Sequence, residues 1–137
     1  MKNAKFILPI MCLCSSISVL SHAEEAAPQI SSNKIITVTD QGLEPRNLTM
    51  KIEDSIVFLL NQTNNSQMKI KVDFNGKETH CASSNLIVTK NRDVASAKPI
   101  LPQDFALFCF HAKGSYPFKV SGVKGAPQGL SGNINVE

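Results

Sequence analysis

Apolar and polar residues alternate along this chain in short runs, and each run is closed within a few positions by Gly, Pro, Asn or Asp. The clearest case has Met68, Ile70, Val72 and Phe74 interleaved with Lys69, Lys71 and Asp73, the pattern of a strand with one face on a core and the other in water. Residues 34–39, rich in Ile, Val and Thr, and the alternating Leu48, Met50 and Ile52 read as further strands. Residues 55–60 are nearly continuous in apolar side chains, as expected of a strand covered on both faces. Residues 105–110, 116–120 and 134–136 complete the strong pattern, with a weak strand over 86–89. Between Lys77 and Gln103 regularity otherwise lapses, and Pro99 and Pro102 close the region, which reads as a long functional or stapled loop. No segment sustains a helical period. The expectation is an all-β chain, a Greek-key β-sandwich of seven or eight strands.

The first residues carry a different signal. Lys2 and Lys5 precede a mostly apolar run from Phe6 to Leu20, and Ser21-His22-Ala23 places small residues where a signal peptidase reads. That run is too short for a membrane span and predicts a secretory signal peptide over 1–23, followed by a polar leader over 24–33 and one domain over 34–137. The protein is therefore expected in the periplasm or outside the cell, with no membrane attachment after cleavage. Losing Lys2 and Lys5 from the fourteen Lys and Arg leaves twelve, against eleven Asp and Glu. So balanced a chain offers no electrostatic case for nucleic acid or anionic lipid, and an unidentified periplasmic protein is the expected partner class.

Removing the leader also takes away Cys12 and Cys14, leaving Cys81 and Cys109 in a compartment where paired thiols oxidise. A disulfide between them is the default expectation. Two alternatives stand beside it. Thr79-His80-Cys81 and Cys109-Phe110-His111 bring two sulfur and two imidazole donors into two short clusters, a set suited to tetrahedral zinc or copper(I). Redox-active thiols are the other, although the motifs are not Cys-x-x-Cys and no neighbour marks a low-pKa thiolate. If the sulfurs are bonded to each other, His80, His111 and the thioether of Met68 remain as metal ligands. Met50 and Met68 both fall on apolar strand faces, where Met usually fills a core. Catalysis is not expected: the chain has no paired-carboxylate motif, no Gly-rich phosphate loop after a strand and no Ser on a nucleophile elbow.

Several stretches, taken in order, share a frame. They are an opening Ile-x-Val strand, the Leu43-Glu44-Pro45 turn before Leu48-Thr49-Met50, and Glu53-Asp54-Ser55-Ile56-Val57-Phe58. The strand and turn over 102–113, then Gly114-x-Tyr116-x-Phe118 and Gly132-x-Ile134-x-Val136, complete it. In this order the chain resembles the cupredoxin, or blue-copper, family. The resemblance implies a cupredoxin-like sandwich whose type 1 copper ligands would come from two imidazoles, a thiolate and a weak axial thioether. At those positions Val120 stands for the thiolate, Val123 for an imidazole and Leu130 for the thioether, while the first imidazole would fall near Gln67 and Met68. These are degenerate positions, so a type 1 site is not expected.

Function then follows by analogy of fold, and two readings stay open. One is an exported copper-associated protein that binds, transfers or exchanges electrons with copper through a non-type-1 site drawn from His80, His111 and Met68. The other is a metal-free cupredoxin-fold binding module, without cofactor, stabilised by a Cys81–Cys109 disulfide.

Overall fold

The computed structural model describes residues 34–137 apart from Ser55; the expected leader segments over 1–23 and 24–33 lie outside the described residues. Among the described residues eleven strands form: β1 (Lys34–Thr39), β2 (Gly42–Glu44), β3 (Asn47–Met50), β4 (Ile56–Asn61), β5 (Lys69–Val72), β6 (Thr79–Ala82), β7 (Leu86–Val88), β8 (Val94–Ser96), β9 (Phe105–Phe110), β10 (Gly114–Ser121) and β11 (Leu130–Val136). A 3-10 turn, Ile52–Asp54, lies between β3 and β4. Two mixed sheets result. One runs β2-β1-β4-β9-β6 and the other β3-β11-β10-β5-β8-β7. The β1/β4 and β11/β3 pairs are parallel and the rest antiparallel, giving the two-layer sandwich that the alternation implied.

The core lies where the inward positions of the two sheets meet. Ile36, Val38, Val57, Leu59 and Phe108 come from the first sheet, and Ile70, Val72, Tyr116, Val120 and Ile134 from the second. Each fully buried side chain of this size contributes about 1.5–3 kcal/mol relative to exposure. Phe74, Phe108, Phe110 and Tyr116 form an aromatic cluster at one end, with ring centroids between 4.5 and 5.7 Å apart. The Tyr116 hydroxyl donates to Ala112 O at 2.5 Å, which ties the turn before β10 to the core. Gly132 lies opposite Phe118 in the β10/β11 ladder, and the ring occupies the space a side chain there would need.

Three findings differ from the sequence expectation. The strands beyond the expected eight are β2, β6 and β8, of three or four residues each, too short to display a period of their own. Residues 77–103 are consequently no structureless loop: they hold β6, β7 and β8, paired with β9, β5 and one another. The third concerns β4. Val57 and Leu59 are completely buried, but Ile56 is 39% exposed and Phe58 and Leu60 are only half-buried, so the apolar run has one covered face and not two.

Candidate functional site

The end of the sandwich that carries the degenerate type 1 positions is built by the segment over 62–68 and the loop over 122–129. The loop reaches that segment because Gly122 adopts φ of +86°, a conformation open to glycine, and passes directly over the Gln67 carbonyl. Lys124 N donates to Ser66 Oγ at 3.1 Å, and the turn bonds Ala126 N to Val123 O (3.0 Å) and Gly129 N to Ala126 O (2.8 Å) shape the rest.

Under the loop the side chains are hydrocarbon and thioether. Val120 and Met68 are fully buried, Val123 is nearly so, and Leu130 packs partly buried against the same core. Register places Val120 between Ile70 on β5 and Leu130 on β11. Met68 sits just before β5, where it forms a two-sided backbone bridge with Ile100 (3.1 and 2.7 Å).

The polar groups nearby are occupied with one another. Asn61, fully buried, donates through Nδ2 to Ser66 O (2.9 Å) and Ile100 O (2.8 Å). Its Oδ1 accepts from Thr63 N (3.0 Å) and Thr63 Oγ1 (2.7 Å), and Thr63 Oγ1 in turn accepts from Ser66 N (3.1 Å). Among the described residues the one buried side-chain polar atom without a partner is Thr89 Oγ1, which belongs to the β7–β8 turn. The donor set does not fit type 1 copper. Val120, Val123 and Leu130 carry no lone pair, and Met68 alone cannot hold the ion.

Cys81 and Cys109 are bonded to each other. They join adjacent strands, with Cα atoms 5.1 Å apart, across an irregularity in the β6/β9 ladder. Thr79 faces Phe110 and Ala82 faces Phe108, so His80 and Cys81 together oppose Cys109, the arrangement of a β-bulge. Thr79 Oγ1 secures the bulge by donating to Cys109 O at 3.0 Å. The bond consumes both sulfurs as ligands.

The remaining metal candidates are not all brought together. His80 lies in β6 and His111, exposed, directly after β9, so their backbones are on neighbouring strands. Met68 is at the other end: it precedes Lys69, the partner of Ser121 at the close of β10, whereas His111 precedes the start of β10 at Gly114. That strand is about 23 Å long at about 3.3 Å per residue. Among the described residues no group of three or more His, Cys, Asp or Glu converges as a metal site would require. Sequence reasoning missed the Asn61–Thr63–Ser66 network, although Asn, Thr and Ser in the turn after an apolar strand were a visible signal for side-chain bonding to the backbone.

No protein-family model matches the sequence, and no curated protein does. Solved structures do match. A purple cupredoxin from Nitrosopumilus maritimus is 18% identical, with 77% of this chain and 100% of that one covered at a TM-score of 0.51. An oxidised methionine-to-lysine variant of amicyanin is 12% identical, covering 77% and 82% of the two chains at 0.52. An oxidised proline-to-alanine amicyanin variant is 14% identical over the same shares at 0.50. The chain therefore has a cupredoxin-like fold, and identity at this level speaks to the fold alone.

Proposed function

We propose that this protein is an exported, non-catalytic binding module on a cupredoxin-like fold, in which a closed hydrocarbon cradle stands where the metal would sit and the Cys81–Cys109 disulfide serves as the cross-link. The observation that carries the reading is the burial of Met68, Val120 and Val123 beneath a loop whose neighbouring polar atoms are already paired. A donor pocket meant for an ion would present several lone pairs toward it; beneath this loop the Met68 thioether is the one donor beside the hydrocarbon of Val120, Val123 and Leu130. Export is supported by the disulfide, which belongs to an oxidising compartment, and by the leader pattern over 1–23. Among the described residues no helix is long and apolar enough to cross a membrane.

The test is metal analysis of the purified protein combined with titration by Cu(II). Less than stoichiometric metal and no intense visible thiolate-to-copper absorption are expected. Stoichiometric copper that survives dialysis, with or without a blue colour, would defeat the reading.

One observation favours a copper-associated role instead: the β6/β9 pairing holds the backbones of His80 and His111 on adjacent strands beside the disulfide. On that reading, replacing both histidines by Ala abolishes copper or zinc binding, and Met68→Leu leaves it unchanged.

A further inference from the structure

Three non-glycine residues among those described hold a positive φ: Asn75 (51°), Arg92 (64°) and Gln103 (67°). Each adopts a backbone conformation that glycine reaches without strain. Two of these side chains tie back to the fold, Asn75 Nδ2 donating to Ser115 O at 2.9 Å and Arg92 Nη1 to Gly76 O at 3.1 Å. Gln103 does not. Its backbone N donates to Asn61 O at 2.7 Å, but its exposed side-chain amide has no partner among the described residues. The strain comes from the turn. Asp104 N donates to Leu101 O at 3.0 Å, closing a four-residue turn with Pro102 second and Gln103 third. Proline second and a positive φ third are the marks of a type II turn, whose third position ordinarily takes Gly or Asn. A long amide there goes against local preference, and the fold makes no use of it.

That side chain stands at an open cavity of about 580 Å³ lined by Leu60, Gln62, Thr63, Asn64, Pro102 and Gln103. The volume is in the range of small-molecule sites. Gln62 presents a second exposed amide without a partner among the described residues, on a backbone fixed by the bond from Gln62 N to Val38 O at 2.8 Å. Asn64 is oriented by Asp40 Oδ2, which accepts from Asn64 N (3.1 Å) and Nδ2 (2.7 Å). Leu60 also lines a shallow groove with Ile35, Phe58 and Phe105, so the cavity and the groove adjoin. The Phe58 and Phe105 rings are 5.8 Å apart, and Phe105 is 45% exposed.

We infer that the cavity and the adjoining groove form one binding site for a neutral oligosaccharide, with the amides of Gln62 and Gln103 as its polar contacts. Sugar rings carry hydroxyls around their edges and C–H groups on their faces. A side-chain amide offers a donor and an acceptor side by side, which matches neighbouring hydroxyls. An exposed phenyl ring gives the C–H face an apolar surface to lie on. Other ligand classes fit less well. No Lys or Arg lines either concavity, so an anion meets no counter-charge. Glu44, in the outward row across Thr37 from Leu60, would repel one. The carboxylates next to the lining, Asp40 and Asp104, already accept from the main-chain N–H groups of Asn64 and Phe105. An extended peptide that pairs through its backbone needs an open strand edge, whereas β4 and β9 are interior strands of their sheet.

This inference rests on the binding-module reading and names its ligand, and the two fail in different measurements: metal content tests the first, oligosaccharide titration the second. Cellotetraose, maltotetraose and N-acetylchitotetraose are each titrated into the purified, oxidised protein to about 5 mM, enough to detect weak association, and followed by nitrogen–proton correlation spectra. At least one should bind saturably and shift the side-chain amide signals of Gln62 and Gln103. Gln103→Gly should weaken that binding by about fivefold or more, the effect of a lost hydrogen bond. Its urea midpoint should stay at or above that of the wild type, because glycine relieves the turn. Gln62→Ala should weaken binding likewise, while Lys119→Gln on the opposite sheet should leave the constant within about twofold. No saturable binding by any of the three sugars would overturn the inference, as would binding that Gln103→Gly and Gln62→Ala both leave intact. A Gln103→Gly protein less stable than the wild type would show that the amide serves the turn, and would overturn it too. Shifts at these amides from a tryptic peptide pool and from no oligosaccharide would make the occupant a peptide, with the same consequence.

Discussion

Gly122 lies against the backbone of Gln67: a Cβ on Gly122 would come within 2.5 Å of the Gln67 carbonyl oxygen and 3.4 Å of the Met68 Cα. This approach closes the 122–129 loop over the end of the core, and the backbone on the other side cannot yield as a flexible side chain would. Gly122 also has φ of +86°. Gly122→Ala should therefore destabilise the fold by about 1–3 kcal/mol, combining left-handed strain with the clash. Urea denaturation checks this, and a midpoint equal to wild type would mean that the loop moves freely away from Gln67.

Asn61 holds the same end together from inside. It donates to two carbonyls, Ser66 O and Ile100 O, and accepts from two Thr63 groups, all buried. Asn61→Leu, close in volume, strands those partners away from water at about 1–3 kcal/mol for each group left unsatisfied. The expected outcome is a loss of at least about 2 kcal/mol with amide exchange accelerated at Thr63, Ser66 and Lys124. Exchange at Tyr116 should be least affected, since the aromatic cluster is at the other end.

Reduction of the disulfide is the third test. The cysteines are 28 positions apart, and in the chain-entropy account closing a loop of this length stabilises by about 3–4 kcal/mol. Denaturation with reductant, and of the Cys81→Ala/Cys109→Ala double variant, should fall by about 2–4 kcal/mol in parallel. If reduction alone lowers stability and the double variant does not, thiol desolvation rather than chain entropy carries the effect.

Tyr116 supplies a pH dependence. Burial raises the pKa of its phenol above the ordinary 10.0, because the anion would lose hydration in the core. The folded protein thus keeps a proton that the unfolded chain releases, so the contribution is complete below about pH 10 and declines as pH rises toward the folded-state value. Thermal midpoints should drop on crossing pH 10, and Tyr116→Phe should flatten that drop. The same variant forfeits the bond to Ala112 O and should cost about 1 kcal/mol at neutral pH. An unchanged alkaline slope in Tyr116→Phe would assign the drop to other groups.

Much of this architecture could be read before any coordinates. The strand Lys69–Val72 and the pair β10 and β11 announce themselves because alternation is a property of consecutive residues, and Gly, Pro and Asn mark the turns between them. The candidate site was half legible. Val120, Val123 and Leu130 were visible as residues that cannot bind a metal, while their shared burial beneath the loop was not. Met68 shows the limit from the other side. Its alternation marked it as an inward-facing residue, and it is buried, although it lies just before β5 and not within it; nothing local revealed that the length of β10 separates it from His111.

The order of residues by itself settled the all-β class, the placing of the main strands and the presence of two cysteines able to pair, since each depends on side chains a few positions apart or on simple counting. Tertiary structure decided the rest: the short strands β2, β6 and β8, the bulge that sets His80 and Cys81 against Cys109, the mutual satisfaction of Asn61, Thr63 and Ser66, and which face of β4 is covered. Those features arise from pairings between residues distant in the chain. A six-residue apolar strand reads the same whether one side or both will be buried, and only the arrival of its neighbours determines which.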